Sequence, residues 1–379
     1  MRSALRLIAI NVALLLAAML ALNFLSALAL DLRDGAHALS GGKRDARIDL
    51  PAYADKAAAT QIFNDYYKTS ARYTAILGWT MRPMTSATLT IGQDGRRSTG
   101  LPPGGPVTLQ MFGGSTMWGT GADDRHTIPG LLQARFPAIT VENNAQSGFT
   151  SRQSLDALIN LLNQGRRVDA AVFYDGANDV AFYCNDRLSL NGDAYELVFR
   201  KLIEGNLRGG SRVAGWLNAI LFRDTFALAG VVGDWLNARL HPGAAQAPDG
   251  TAAPNYVCDT DPKRAMAVAE LMLADWRLAD ALVSKSGGTF IGVLQPIAYV
   301  GTPRTDYLDL DPTLGRQYRA VYPLVLRLMA DRGITYAVDL TDAIDGTDPV
   351  YIDWAHVTAA GNARIAERIG AALAPRLPN

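Results

Sequence analysis

The 379-residue chain has no excess charge of either sign. Its 36 Lys and Arg stand against 36 Asp and Glu, with no basic block to break the balance. That removes the electrostatic footprint with which proteins engage nucleic acid, so no nucleic-acid partner is expected. Cysteine is scarce, at two residues, and histidine at four; no spacing among them suits a zinc site. The glycine-rich stretch from Gly113 to Gly121 lacks the lysine of a phosphate-binding Walker loop. Neither a metal nor a cofactor is therefore expected. Charged residues make up only 19% and hydrophobic ones 49%, ample for a sizeable core, and the length suits one large domain with appendages.

What is present begins with a long apolar run. Leu7 to Leu30 carries no charge, Arg2 and Arg6 precede it, and Asp31 follows. At 24 residues the run is long enough to span a bilayer and longer than a usual signal-peptide core. The flanking arginines place the N-terminus in the cytoplasm and the remainder outside it, which makes residues 1–30 a membrane anchor. A cleaved signal peptide ending near Ala27-Leu28-Ala29 is the competing reading. The two cysteines, Cys184 and Cys258, fit an exported protein, either as a disulfide closing the intervening segment at its base or as two separate buried thiols.

Residues 31 to about 60 read as a linker, and 31–104 as linker plus a small N-terminal extension. Within the extension the pattern predicts a short helix over 60–72 and a hairpin of strands 86–91 and 96–99 around Gly92-Gln93-Asp94-Gly95. From about 105 onward, strands and helices alternate, the mark of a parallel sheet covered on both faces. Strands are expected at 107–112, 140–144, 170–174, 289–294 and 336–339, and helices near 127–135, 151–164, 262–286, 313–332 and 359–373. The insertion 184–258 reads as helical over 194–206, 213–222 and 226–240, followed by a Pro/Gly/Ala-rich stretch. It suits a lid, a membrane-facing surface or a plain helical subdomain.

Four short segments carry the chemistry. Met111-Phe112-Gly113-Gly114-Ser115-Thr116 is a buried strand running into a glycine turn with a serine at its tip. Ser147-Gly148 follows the second strand, Gly176-Ala177-Asn178-Asp179 the third, and Asp353-Trp354-Ala355-His356 lies near the C-terminus. Singly, each has a plain reading: Ser115 as a helix cap, Gly148 as a loop glycine, Asn178 as a turn residue. Among the histidines, His37 lies in a polar linker, His241 beside Pro242, and His126 ahead of a helix start, which leaves His356. Asp175 and Asp179 read as structural.

In this order the four segments resemble the SGNH hydrolases, the GDSL-like esterase and lipase family, over about residues 105 to 375. Ser115, Gly148, Asn178 and His356 match the serine, glycine, asparagine and histidine of the family's four blocks. The first block departs from the family's glycine-aspartate-serine, reading Gly113-Gly114-Ser115. The resemblance implies a three-layer α/β/α flavodoxin-like sandwich with a five-stranded parallel sheet of order 2-1-3-4-5. It places Ser115, Gly148, Asn178 and the Asp353–His356 pair on one sheet edge.

Chemistry supports the same assignment. A serine hydroxyl needs an adjacent base, histidine suits that task near neutral pH, and a carboxylate on the far ring nitrogen fixes its tautomer. Asp353 and His356 are three residues apart, so a single turn brings both to one face. Backbone N–H groups at Ser115 and Gly148 and the Asn178 amide are the expected oxyanion donors. The function expected is an extracytoplasmic, membrane-anchored serine esterase acting on a small-molecule or glycan O-acyl ester. The alternatives are an O-acyltransferase using the same acyl-enzyme and a non-catalytic flavodoxin-like module holding a phosphate in its first loop. Oligomeric state is not legible in the sequence.

Overall fold

Five short apolar segments form one parallel sheet. The computed structural model describes residues 2–39, 44–207, 218, 220–240 and 254–377. In chain order the first elements are α1 (Arg2–Leu39), α2 (Lys56–Tyr66), β1 (Ala71–Thr74), β2 (Gly78–Met81), β3 (Met84–Thr85) and β4 (Thr90–Ile91). Next come β5 (Thr108–Gly113), α3 (Ser115–Trp118), α4 (Ile128–Arg135), β6 (Thr140–Asn143), α5 (Ser151–Asn163), β7 (Ala170–Asp175) and α6 (Ala177–Tyr183). The rest are α7 (Glu196–Leu207), α8 (Arg223–Leu240), α9 (Pro262–Lys285), β8 (Thr289–Leu294), α10 (Pro312–Asp331), β9 (Ala337–Asp339) and α11 (Ala359–Leu373).

The main sheet runs β6-β5-β7-β8-β9, every pair parallel, which is the order 2-1-3-4-5. Alternation along the strands sorts side chains onto two faces. Phe112, Phe173, Phe290 and Leu294 pack with α5, α9 and α10 on one face; Leu109, Met111, Val172, Tyr174 and Val293 pack with α4 and α11 on the other. Strand β7 is buried at all six positions, as a central parallel strand covered on both sides must be. Because the strands are parallel, the loops after Gly113, Asn143, Asp175 and Leu294 all leave one edge.

The N-terminal extension differs from its sequence pattern. Its helix starts earlier, at Lys56, because the Asp55 side chain caps it by accepting from Ala57 N and Ala58 N. The last two residues of the expected helix, 71 and 72, instead begin a strand, 71–74, that pairs with 78–81 in an antiparallel hairpin. In place of a second strand at 96–99, only Arg97 bridges, to Ile91 and Asn143. Its buried guanidinium donates to Asp124 Oδ1, Gly119 O and Ala122 O, so side-chain bonds hold this segment where a ladder was expected. Residues 46–49 form a 3-10 turn that buries Ile48 beside Phe63 and Ile352. The stretch read as linker is therefore folded from residue 45 onward.

The chain divides into two units, residues 45–196 with 254–379, and residues 1–44 with 197–253. In the second, α1 includes the stretch Ser3–Arg33, the one helix among the described residues long and apolar enough to cross a membrane; a signal sequence passes the same test. Asn23 on that helix caps α8: its Oδ1 accepts from Asp224 N at 2.9 Å and Thr225 N at 3.1 Å, and its Nδ2 donates to Ile220 O. Of the expected insertion helices, 194–206 and 226–240 correspond to α7 and α8. Residues 213–217 and 219, and the Pro/Gly/Ala stretch up to 253, lie outside the described residues. At the base of the insertion Cys184 and Cys258 form a disulfide. Beside it Val257 N donates to Cys184 O, and Asn185 bridges Tyr256.

Candidate active site

Ser115 is the first residue of α3, directly beyond the carboxyl end of β5. The loop after β6 is tied to the same strand end, since Gln146 N donates to Gly113 O. It carries Gly148, whose φ of +84° lies in the left-handed region that favours glycine. The loop then enters α5 through a capping box between Thr150 and Gln153. Asn178 lies in the first turn of α6 after β7, and its Nδ2 donates to Phe149 O at 2.7 Å. A side-chain carbon on Gly114 would overlap that same amide nitrogen. The residue before Ser115, the residue after Gly148, and Asn178 are therefore in contact.

Asp179 binds two of these loops together. Its Oδ1 accepts from Ser151 N at 2.9 Å and its Oδ2 from Gly176 N at 3.0 Å. Asp175 accepts from Trp276 Nε1 and Ser154 Oγ, and Asp275 from Ser151 Oγ. Burial pushes the carboxyls of Asp175 and Asp179 up, and Asp275 to about 7. These three groups form a buried carboxyl cluster in which Asp179 holds the loop backbone and Asp175 and Asp275 hold side chains.

The final loop folds on itself. Tyr351 bridges Val357, Ile352 N donates to His356 O, and Ala298 N donates to Trp354 O, which seats the loop on the one after β8. Asp353 shapes its own turn by accepting from Ala355 N and His356 N at 2.9 and 2.8 Å. Its two oxygens also stand 2.9 and 2.8 Å from His356 Nδ1. The other ring nitrogen, Nε2, is 2.7 Å from Ser115 Oγ. Burial alone would push the Asp353 carboxyl up, but the charge and hydrogen bonds of His356 and the two backbone donors outweigh it. The carboxyl therefore sits well below the usual carboxylate range.

All five residues singled out from the sequence thus lie on one sheet edge. The serine, histidine and aspartate are joined directly; the asparagine and glycine are linked through Phe149 and Gly114. His126 is elsewhere, with a side chain 54% exposed and paired to Asp123. A cavity of about 470 Å³ bordered by Glu270, Arg277, Arg332 and Tyr336 contains none of these groups. Sequence reasoning missed Arg47, whose Nη1 lies 3.3 Å from Asp353 Oδ2 across 306 residues. No local pattern marks it: it falls in the stretch read as linker.

No family model matches the chain. No curated protein matches it either. Fifty-eight solved chains do. One is a carbohydrate acetylesterase family member from Sinorhizobium meliloti, 14% identical, covering 72% of this chain and 99% of its own, with a TM-score of 0.34. Another is a member of the lipolytic protein G-D-S-L family from Veillonella parvula, 11% identical, covering 69% and 95%, with a TM-score of 0.37. A third is an acetyl xylan esterase, 12% identical, covering 70% and 100%, with a TM-score of 0.35.

Proposed function

We propose that this chain is a serine esterase of the SGNH type that hydrolyses an O-acyl ester. The observation that carries the reading is the continuous path from Ser115 Oγ through both nitrogens of His356 to Asp353, at 2.7 and 2.8 Å. Ser115 Oγ attacks the acyl carbonyl while His356 Nε2 takes its proton. Asp353 stays ionised, holds the Nδ1–H tautomer and stabilises the imidazolium. The N–H groups of Ser115 and Gly148 and the Asn178 amide hold the oxyanion. His356 then gives the proton to the departing alcohol. Water attacks the acyl-serine with His356 again as base, releasing the acid and restoring Ser115.

The same proposal makes residues 1–30 a membrane anchor, with a catalytic domain over 105–379 outside the cytoplasm and an acyl group on an envelope glycan as substrate. The apolar stretch of α1 and the Cys184–Cys258 disulfide, a bond that persists in oxidising compartments, support it. Covalent labelling by a fluorophosphonate probe tests the nucleophile. The parent chain labels and hydrolyses short p-nitrophenyl esters, and Ser115→Ala does neither; more than a few per cent residual turnover in that variant would overturn the assignment. Fractionation tests the anchor: a shortened protein found free of the membrane would replace it with a signal peptide. Acyl transfer to a glycan alcohol in place of water would move the reading to an acyltransferase.

A further inference from the structure

We infer that Arg47 is a positioning residue of the Ser115–His356–Asp353 centre, and that the segment following α1 is part of the active site. The inference rests on the esterase reading for its catalytic consequence, but the placement of Arg47 stands on geometry.

Asp353 Oδ1 is occupied by the N–H groups of Ala355 and His356, while Oδ2 faces His356 Nδ1 on one side and Arg47 Nη1 on the other. The guanidinium is held in that direction from behind. Asp45 takes Nη2 at 2.7 Å and Nε at 3.1 Å, and accepts Arg47's own N–H at 2.8 Å. Tyr67 donates its hydroxyl to Asp45 at 2.6 Å, and the guanidinium lies over the Phe63 ring, 4.5 Å from its centroid. Ile48, next in the chain, is buried in a small core with Phe63 and Ile352, the residue preceding Asp353. Tyr53, from the same segment, donates to Gly121 O just beyond the α3 turn. The segment therefore grips the catalytic loop by apolar packing and adds a cation to its carboxylate.

An exposed ion pair contributes little to stability, and Arg47 and Asp353 are each about a quarter exposed, so the consequence lies in chemistry more than in folding. A cation on Asp353 Oδ2 restricts the carboxylate to the orientation that meets Nδ1. Asp45, Tyr53, Tyr66 and Tyr67 are titratable groups that stand near Arg47 and Asp353. Of these Asp45 alone is charged near neutral pH, and it opposes Arg47.

The test uses the full chain in detergent with Arg47→Gln, Arg47→Lys and Asp45→Asn. In Arg47→Gln, kcat falls about tenfold with KM within about twofold. Arg47→Lys recovers most of the loss in kcat, and Asp45→Asn, which releases the guanidinium, lowers kcat in the same direction as Arg47→Gln. With ¹⁵N-labelled histidine, the His356 ring nitrogen resonances of Arg47→Gln and of Asp45→Asn shift from those of the parent, because the carboxylate oxygen that meets Nδ1 is no longer held by Arg47. That readout needs no turnover. An unmoved resonance in both Arg47→Gln and Asp45→Asn overturns the Arg47 assignment, whereas a parent chain that neither labels nor hydrolyses overturns the esterase reading. Should Arg47→Gln fail to fold, the resonance shift in Asp45→Asn, which releases the guanidinium, still decides the question.

Discussion

Gly114 and Asn178 occupy one space: a methyl group on Gly114 would stand on the Asn178 amide nitrogen and 3.1 Å from Phe149 O. Gly114 has φ −83°, a value any residue adopts, so a side chain here would meet the Asn178 amide and not backbone strain. This is the position where the first block reads glycine in place of the aspartate of glycine-aspartate-serine.

Gly114→Ala should displace the Asn178 amide from Phe149 O and leave the sheet intact. A fall in kcat of about 10²-fold, approaching the loss for one oxyanion donor, is expected with an unchanged melting temperature. Steady-state kinetics beside thermal melts check it. Full activity in Gly114→Ala would mean that Asn178 does not need this position.

Asp353→Asn should keep the loop but lose the tautomer, lowering kcat by about 10³–10⁴. His356→Ala should cost at least as much, and the double variant little more, because the two residues act as one unit. Losses that simply multiplied in single-turnover assays would separate the pair.

Stability should fall as pH rises from about 4 to 7. Asp275 keeps its proton in the folded chain up to about 7 because it is buried, with Ser151 pulling its value down and Asp179 pushing it up. The unfolded chain gives up that proton near 4. Between those values the native state binds more protons than the unfolded one, so the free energy of unfolding declines with rising pH. Asp175 and Asp179 are shifted in the same direction. Asp275→Asn should therefore be more stabilising, relative to the parent, at pH 8 than at pH 5. Melting temperatures with equal offsets at both pH values would count against the cluster.

Removing the Cys184–Cys258 bond opens a loop with a sequence separation of 74. On chain-entropy grounds the Cys184→Ser, Cys258→Ser variant should lose about 4 kcal/mol in urea denaturation. A midpoint equal to the parent's would show that the bridge at Asn185 and Tyr256 holds the insertion base by itself.

Much of this protein is written locally. The five parallel strands and their covering helices follow from short apolar runs alternating with capped amphipathic segments, since periodicity and capping are properties of neighbours in the chain. The turn that joins Asp353 to His356 is local too, for the aspartate bonds the backbone of its own loop. The strand expected at 96–99 does not form, because Arg97 is held by Asp124, Gly119 and Ala122, partners no nearby residue announces.

The Asp-x-x-His spacing occurs three times in the chain, at Asp34–His37, Asp123–His126 and Asp353–His356. Asp123 and His126 repeat the spacing and the 2.8 Å approach of a carboxylate to Nδ1 seen at Asp353 and His356. Among the described residues only the pair Asp353 and His356 meets a serine, Ser115, 241 positions away. Sequence alone determined where that spacing occurs, because a three-residue separation is a property of neighbours in the chain. Only the tertiary structure decided which one faces the nucleophile and which cation, Arg47, stands behind it. Those distances are set by how parallel strands stack their carboxyl ends, and not by any interaction short enough to be read along the chain.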